Sequence, residues 1–496
     1  MKFLGIDIGT GGSRAIVIDT DGRVIASKSV DHEPFASPEI GWAEQSPEDW
    51  WRASSAAVRG VLENENVNAN DIGAIGLSGQ MHGSVLLDKN DRVLRPALLW
   101  CDQRTGKQCD QINQRLGPAR VVELVANAAV TGFTLPKLLW VREREPEIWS
   151  AVAKVLMPKD YVRFRLSGDK ASDVADSSGT LLFDVSRRRW SDDMLAAFDL
   201  DRGLMPEVFE SIEIAGTVSA SGAIETGLRI GTPIVAGAGD NAAGAVGMGI
   251  VSPGMASATI GTSGVIFAVT EQPRFDPMGR IHTLCHAVPG RWHNTGVTLS
   301  AGLSLQWFRN SFDSEASYDE LTNLAAAAPV GSDGAIWLPY LMGERAPYLD
   351  PKARAAFVGL TASHTKAHLT RAVLEGVAFS LRDSIEIFKK LGAEIGSIRL
   401  GGGGARSPLW QRVQTDVFAS PIELIEVEEG AAYGAAILAG VGAGTWNSVD
   451  DACEQTIRVA DRIEPDHRSV KILDRNYKAY RLLYKALRPA MEIIAE

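Results

Sequence analysis

Two aspartates stand where apolar runs give way to glycines. Asp7 interrupts FLGIDIGTGGS two residues before Gly9, and Asp240 follows a Gly-Ala-Gly in PIVAGAGDNAAGAVGMG. The second stretch predicts a strand over 234–236 and then a helix of small residues. That sets Asp240 at a strand's C-terminal end, above a helix N-terminus, where open α/β sheets bind ligands. An aspartate there is either a helix N-cap or a general base that takes the proton of an attacking hydroxyl. Asp7 precedes a turn whose amides and hydroxyl suit an anion. A carboxylate so close to an anion repels it unless a cation lies between. Mg2+ is the natural cation, because it binds one or two carboxylates together with phosphate oxygens. A third candidate is less transparent: GQMHG, residues 79 to 83, holds Met81 and His82 at the tip of a short apolar strand over 72–78.

The turn after Asp7 occurs twice. Strands over 3–8 and 14–18 flank Gly-Thr-Gly-Gly-Ser, and ASATIGTSGVIFAV at 256–269 repeats the strand, the Gly-Thr turn and the returning strand. These are hairpins, not the strand-to-helix crossover of a dinucleotide fingerprint, whose third glycine would fall on Arg14. Gly9-Thr10 and Gly261-Thr262 lie about half the chain apart, as an internal duplication into two similar domains would place them. Facing one another across a cleft, Thr10, Gly11 and Gly12 on one side and Gly261 and Thr262 on the other would clamp a polyphosphate. A third glycine cluster, in IRLGGGGARSPLW, ends a strand at Leu400 and precedes a helix opened by Ser407-Pro408. Gly403 and Gly404 there let backbone approach a flat ligand such as adenine, or its α-phosphate.

Several suggestive stretches take plainer readings. Asp173 and Asp176 are read as turn residues before a strand over 180–184, and Arg345 in GERAPY as a structural arginine on a loop. Tyr477, Tyr480 and Tyr484 form a packing stripe on a terminal helix, which is expected to cross between the domains. His364 and His368 share a helical face but have no acidic partner nearby, so no metal is assigned to them.

The chain has 496 residues, 49 of them glycine, and a net charge of −11. Its length suggests two to four domains, and its acidity argues against nucleic acid as a partner. The start, MKFLGIDIGT, is too short an apolar run for a signal peptide, and no stretch is long enough for a membrane span. Cys101, Cys109, Cys285 and Cys453 form no CxxC pair, so a reducing, cytoplasmic setting is expected.

Taken together, GIDIGT, QMHG, LWCDQR, MPKDYVRFRLSG, AGAGDNAAGAVGMG, IGTSG, LPYLMGERAPY, LEGVAFSLRD and GGGGARSPLW resemble the FGGY carbohydrate kinases of the actin-like ATPase superfamily. The resemblance runs nearly end to end. It implies an α/β fold of two ribonuclease-H-like domains, 1–245 carrying the sugar site and 246–496 most of the nucleotide contacts, with a catalytic cleft between them. It implies ATP as phosphoryl donor, Mg2+ near Asp7, Asp240 as general base, and Thr10, Gly11, Gly12, Gly261, Thr262, Gly403 and Gly404 around the nucleotide. By the same resemblance Met81 and His82 touch the sugar, Met as an adaptable apolar wall and His as a partner for hydroxyls. Asp102 and Arg104 of LWCDQR and Asn241 would lie near it too. Cys101 stands where similar chains usually carry Asn. Among the sugars of this class QMHG points to D-xylulose, phosphorylated at O5. The alternatives are ribulose, glycerol or gluconate, or an actin-like or chaperone-like ATP-driven binding module. The oligomeric state is left open, with a homodimer one option.

Overall fold

The computed structural model describes residues 1–426 and 429–495. The first half of the chain builds a seven-stranded mixed sheet from β1 (Lys2–Ile8), β2 (Gly12–Asp19), β3 (Val24–Asp31), β4 (Ile72–Gly79), β5 (Ile214–Thr217), β6 (Pro233–Val235) and β7 (Ala238–Gly239). Its order is β5-β6-β4-β1-β2-β3, with β7 paired to β4. β1 and β4 run parallel, with Asp7 opposite Ser78 and Ile8 opposite Gly79. The apolar runs of both strands are buried on two faces, as central strands between helical layers must be. On this sheet and around it lie α1 (Pro47–Leu62), α2 (Thr134–Arg144), α3 (Pro158–Ser167) and α4 (Asp240–Gly247).

The second half repeats the plan with β8 (Gly254–Ile260), β9 (Gly264–Thr270), β10 (His282–Cys285), β11 (Trp292–Thr298), β12 (Ile395–Gly402), β13 (Ile422–Ile425) and β14 (Val459–Ile463), ordered β10-β11-β9-β8-β12-β13-β14. The correspondence is topological. In each sheet an antiparallel meander opens on a Gly-Thr hairpin, and its first strand pairs in parallel with a later one: β1 with β4, β8 with β12. The helices of this half include α5 (Gly302–Phe312), α6 (Lys366–Lys390), α7 (Pro408–Phe418), α8 (Gly430–Gly442) and α9 (His467–Ile494). No helix among the described residues is long and apolar enough to cross a membrane.

The element that crosses between the halves is α8, not the terminal helix. α8 comes late in the chain yet lies on the first sheet and against α4. The contact is backbone to backbone. A Cβ on Gly5 or Gly76 would fall 1.9 Å from the carbonyl oxygens of Ala432 and Ala435, and one on Gly434 1.8 Å from that of Ala243. Only glycine at these places lets the helix settle so close. α9, by contrast, stays on the second half. Tyr477, Tyr480 and Tyr484 are buried, and their hydroxyls reach Asp383, Tyr340 and Asp350. The expected packing stripe is present, and the expected interdomain crossing is absent among the described residues. The strand expected over 180–184 is also shorter, Phe183–Asp184. Ser178–Thr180 is instead a 3-10 turn that follows a four-residue helix capped by Asp173.

Candidate active site

The second hairpin and the glycine cluster meet. Gly261, Thr262, Gly302, Gly403, Gly404, Arg406 and Tyr318 line one cavity of about 830 Å³. Its floor is close-packed: a Cβ on Gly302 would lie 2.4 Å from the Gly261 carbonyl oxygen, and one on Gly404 2.6 Å from the Ile260 side chain. Gly403 and Arg406 also border a second cavity of about 490 Å³, which reaches Asp7, Arg14 and Glu429. A trough therefore runs from the start of α7 to the first sheet.

Thr10, Gly11 and Gly12 are not part of that lining. The Gly9 amide closes the first hairpin on the Gly12 carbonyl, and Gly12 already belongs to β2. Gly11 is open, with nothing near the place of a Cβ. The Thr10 hydroxyl accepts from the Trp100 indole N–H at 2.9 Å and faces Gln80 Oε1 at 3.4 Å. The first hairpin is thus wired to GQMHG and to LWCDQR.

Asp240 is the first residue of α4. Gly239 holds the N-cap position, which removes the N-cap reading of Asp240. Its carboxylate receives one long side-chain hydrogen bond, from Asn241 Nδ2 at 3.3 Å. Burial, and then the charge of Asp7, push it up to about 7. Asp7 is raised as well, by burial, with Ser78 and Arg14 working against the shift. Asp7 Oδ1 is buried and has no hydrogen-bond partner. Two mutually repelling carboxylates, one with an orphaned oxygen, fit a divalent cation at Asp7.

Met81 and His82 sit beside Asp240. Asn241 Nδ2 also reaches Met81 Sδ at 3.7 Å, and Gly239 leaves room for the Met81 chain, since a Cβ there would meet its Cγ at 2.7 Å. His82 takes a left-handed backbone, φ 67°, a strained conformation of the kind held at functional sites. Its Nδ1 lies 2.6 Å from the Gly179 carbonyl oxygen, its ring meets Phe133 edge to face, and its own carbonyl accepts from Thr134 and Lys137. Burial, with the Lys137 charge, lowers His82 to about 3, so the imidazole is neutral. A carbonyl only accepts, so Nδ1 carries the proton and Nε2 is left as a bare acceptor.

Asp102 and Arg104 are placed differently from the expectation of two sugar contacts. Their side chains are 0% and 1% exposed and bind each other, with Arg104 Nη2 2.7 Å from Asp102 Oδ2. Arg104 also reaches Glu44 at 2.6 Å and stacks between Trp42 and Trp140. Asp102 accepts from the Ala43 amide at 2.7 Å. The pair ties the 42–44 segment to the 100–104 loop.

Three features were missed in the sequence. Lys137 is fully buried, is lowered to about 7 chiefly by burial, and donates to the His82 and Gly132 carbonyls at 2.8 and 2.7 Å. A lysine inside TLPKLLW was its signal. Asp173 and Asp176, read as turn residues, are buried with Lys159, Asp160 and Arg163 behind Asp240. Lys159 supplies the positive charge there, 2.5 Å from Asp160, 3.6 Å from Asp176 and bonded to Asp173. Arg345, read as structural, makes no side-chain hydrogen bond or ion pair among the described residues, and its charge is felt at His82.

Paired sheets that each open on a Gly-Thr hairpin, with a glycine-lined trough between them, define an actin-like ATPase fold. Residues 2–247 match the N-terminal domain of the FGGY family of carbohydrate kinases, and residues 256–443 match its C-terminal domain. The chain belongs to this family. It is 38% identical to a xylulose kinase of Bacillus subtilis strain 168 over 485 residues, 98% of this chain and 97% of that one. It is 40% identical to a xylulose kinase of Escherichia coli K12 over 496 residues, 99% of this chain and 100% of that one. A solved structure described as a xyloylose kinase from Brucella ovis superimposes with a TM-score of 0.94 at 38% identity, covering 99% of this chain and 100% of that one.

Proposed function

We propose that the protein transfers the γ-phosphoryl group of ATP to O5 of D-xylulose. The observation that carries phosphoryl transfer is Asp240: a nearly unpartnered carboxylate at a helix N-terminus, raised to about 7, between Asp7 and Met81–His82. The choice of D-xylulose is supported by near full-length identity to relatives named xylulose kinases.

In this reading the domain of residues 1–245 carries the sugar and that of 246–496 the nucleotide. Gly261, Thr262, Gly403 and Gly404 take the nucleotide, and Thr10, Gly11 and Gly12 approach the phosphates from the first sheet. Asp7 would hold Mg2+, which supplies charge neutralisation to the phosphates when bound. Met81 gives the carbon skeleton an apolar wall, and His82 Nε2 accepts a hydrogen bond from a sugar hydroxyl. Asn241 holds both Met81 and Asp240 toward that point. Asp102 and Arg104 keep the Trp100 loop in place rather than touching the sugar. As O5 attacks, the O5–P bond forms, the bond from Pγ to the ADP oxygen breaks, and the O5 proton passes to Asp240. Positioning and charge placement supply most of the rate.

All these groups come from one chain, so each chain is a complete catalytic unit. Whether two pair as a homodimer is decided by sedimentation velocity. The four cysteines are free, in keeping with a cytoplasmic setting. The test of the reading is sugar-dependent ADP release with Mg2+ and a panel of D-xylulose, D-ribulose, L-ribulose, glycerol and gluconate. Strong stimulation by D-xylulose alone is expected. Preference for another polyol would overturn the sugar, and no stimulation by any of them would overturn the kinase reading.

A further inference from the structure

Across from His82 the second half of the chain offers two groups that the reaction above does not use. His282, on β10, packs edge to face on Phe133 at 5.3 Å, and His82 packs on the same ring at 4.7 Å. The His282 tautomer is fixed by its neighbour. Asn127 donates through Nδ2 to the Val125 and Thr283 carbonyls, so its Oδ1 is an acceptor. His282 Nδ1 lies 3.3 Å from that oxygen and must carry the proton. Burial, with Arg345 and His82, lowers His282 to about 3. Its Nε2, like that of His82, is therefore a bare acceptor.

Arg345 is the complement. Its backbone is pinned: the Arg345 amide donates to Glu344 Oε1 at 2.7 Å, and the Ala346 amide donates to the Val297 carbonyl at 3.0 Å. Glu344 does not pair with the guanidinium. Its carboxylate already accepts from the Thr298 and Ser380 hydroxyls and from the Leu299 amide. The guanidinium is left without a hydrogen bond or ion pair among the described residues, mostly buried, with its charge felt at both imidazoles. A guanidinium that is partly exposed and bonded to no protein group is open to the oxygen of a bound ligand. Arg345 only donates, the two Nε2 atoms only accept, and none of them bonds another. A polyol hydroxyl both donates and accepts, so it satisfies either kind of group.

We propose that Arg345 and His282 complete the sugar site from the second half of the chain, so that hydroxyls of one ketose bridge His82 on one side and Arg345 with His282 on the other. The sugar is then itself the link that closes the cleft. This deepens the proposed function and rests on the reading that His82 meets the sugar.

The experiment is steady-state kinetics of the full chain with MgATP and D-xylulose for Arg345→Ala, His282→Gln and His82→Ala. Arg345→Ala should raise the sugar KM by roughly tenfold to a hundredfold, the usual worth of a hydrogen bond to a charged donor. The ATP KM should stay within about twofold, which separates a sugar contact from general damage. Free guanidinium at low concentration should restore part of the Arg345→Ala activity, a rescue that a purely structural arginine would not show. His282→Gln, which keeps an amide in place of the ring, should raise the sugar KM less than Arg345→Ala does. Arg345→Gln serves if the alanine variant does not fold, with the same split between sugar and ATP. If His82→Ala raises the sugar KM while the Arg345 and His282 variants leave it unchanged, this inference is wrong and the proposed function stands. If His82→Ala is also silent, the sugar reading beneath it fails.

Discussion

Asp240→Asn should remove turnover and, in the protein free of ligands, raise stability above neutral pH. Both effects come from the same raised carboxylate. Burial and the facing charge of Asp7 push Asp240 from 3.8 to about 7. The folded state therefore holds this proton more tightly than the unfolded state. Stability falls as pH rises from about 4 to about 7 and is level beyond that, where the group is charged in both states. A shift of about three units corresponds to about 4 kcal/mol. Asp240 keeps some solvent contact, and a local dielectric well above that of dry protein cuts the cost to ~1–2 kcal/mol.

Asparagine keeps the shape and cannot ionise. Cooperative unfolding of 496 residues carries an entropy of about 1 kcal/mol per kelvin, so the expected rise in Tm at pH 8 is ~1–2 °C. At about pH 4 and below the carboxyl is increasingly protonated in both states, and the two proteins should converge, with roughly a third of the gap already present at pH 5. Scanning calorimetry without metal or nucleotide reads both, and added Mg2+ should narrow the gap at pH 8 by screening the wild-type pair. Sugar-dependent ADP release should meanwhile fall by about 10²- to 10⁴-fold, the range of a lost general base. A Tm at pH 8 equal to or below that of the wild type would refute the electrostatic argument. Turnover within about tenfold of wild type would refute the role as base.

The same pair sets a pH profile: kcat/KM for the sugar should drop about tenfold per unit below an apparent pKa near 7. Asp7→Asn removes the second cause of the shift and should move that limb to lower pH, as read from the residual activity. Lys137→Met takes one of two side-chain donors from the His82 carbonyl and the lysine donor from that of Gly132; the sugar KM should rise about tenfold, with the ATP KM unmoved in the same kinetics. Gly434→Ala sets a methyl 1.8 Å from the Ala243 carbonyl oxygen; denaturant titration should show a loss of about 3 kcal/mol or more, and a loss under about 1 would mean that α8 shifts freely.

What could be read from the sequence was what is local. FLGIDI is apolar on both faces and meets a glycine turn, so the hairpin follows from strand periodicity and turn chemistry, and its partner at 256–269 follows for the same reasons. Asp240 was legible because strand, glycines and small-residue helix adjoin it in the chain. Partner choice was not. Asp102 and Arg104 looked like free polar groups, but Glu44, Trp42 and Trp140 come from distant segments and occupy them. Asp173 does cap a turn, as read, but nothing local shows that Lys159 will be folded against its other oxygen.

The hardest element to read was α8. GAAYGAAILAGVG is apolar all round, so no stripe says which face packs or on what. Its place is set by glycines on three other elements, Gly5, Gly76 and Gly247, each of which makes room for its backbone. These glycines look like weak points when each strand or helix is read by itself. They become specific only as a set, because a Cβ on Gly5 or Gly76 would lift α8 from the first sheet and one on Gly247 would lift it from α4. α8 packs against α4, whose first residue is Asp240, so lifting it would move the carboxylate that the proposed chemistry depends on. The small residues after Asp240 thus answer to a helix nearly two hundred positions later, and that dependence cannot be seen in a local stretch.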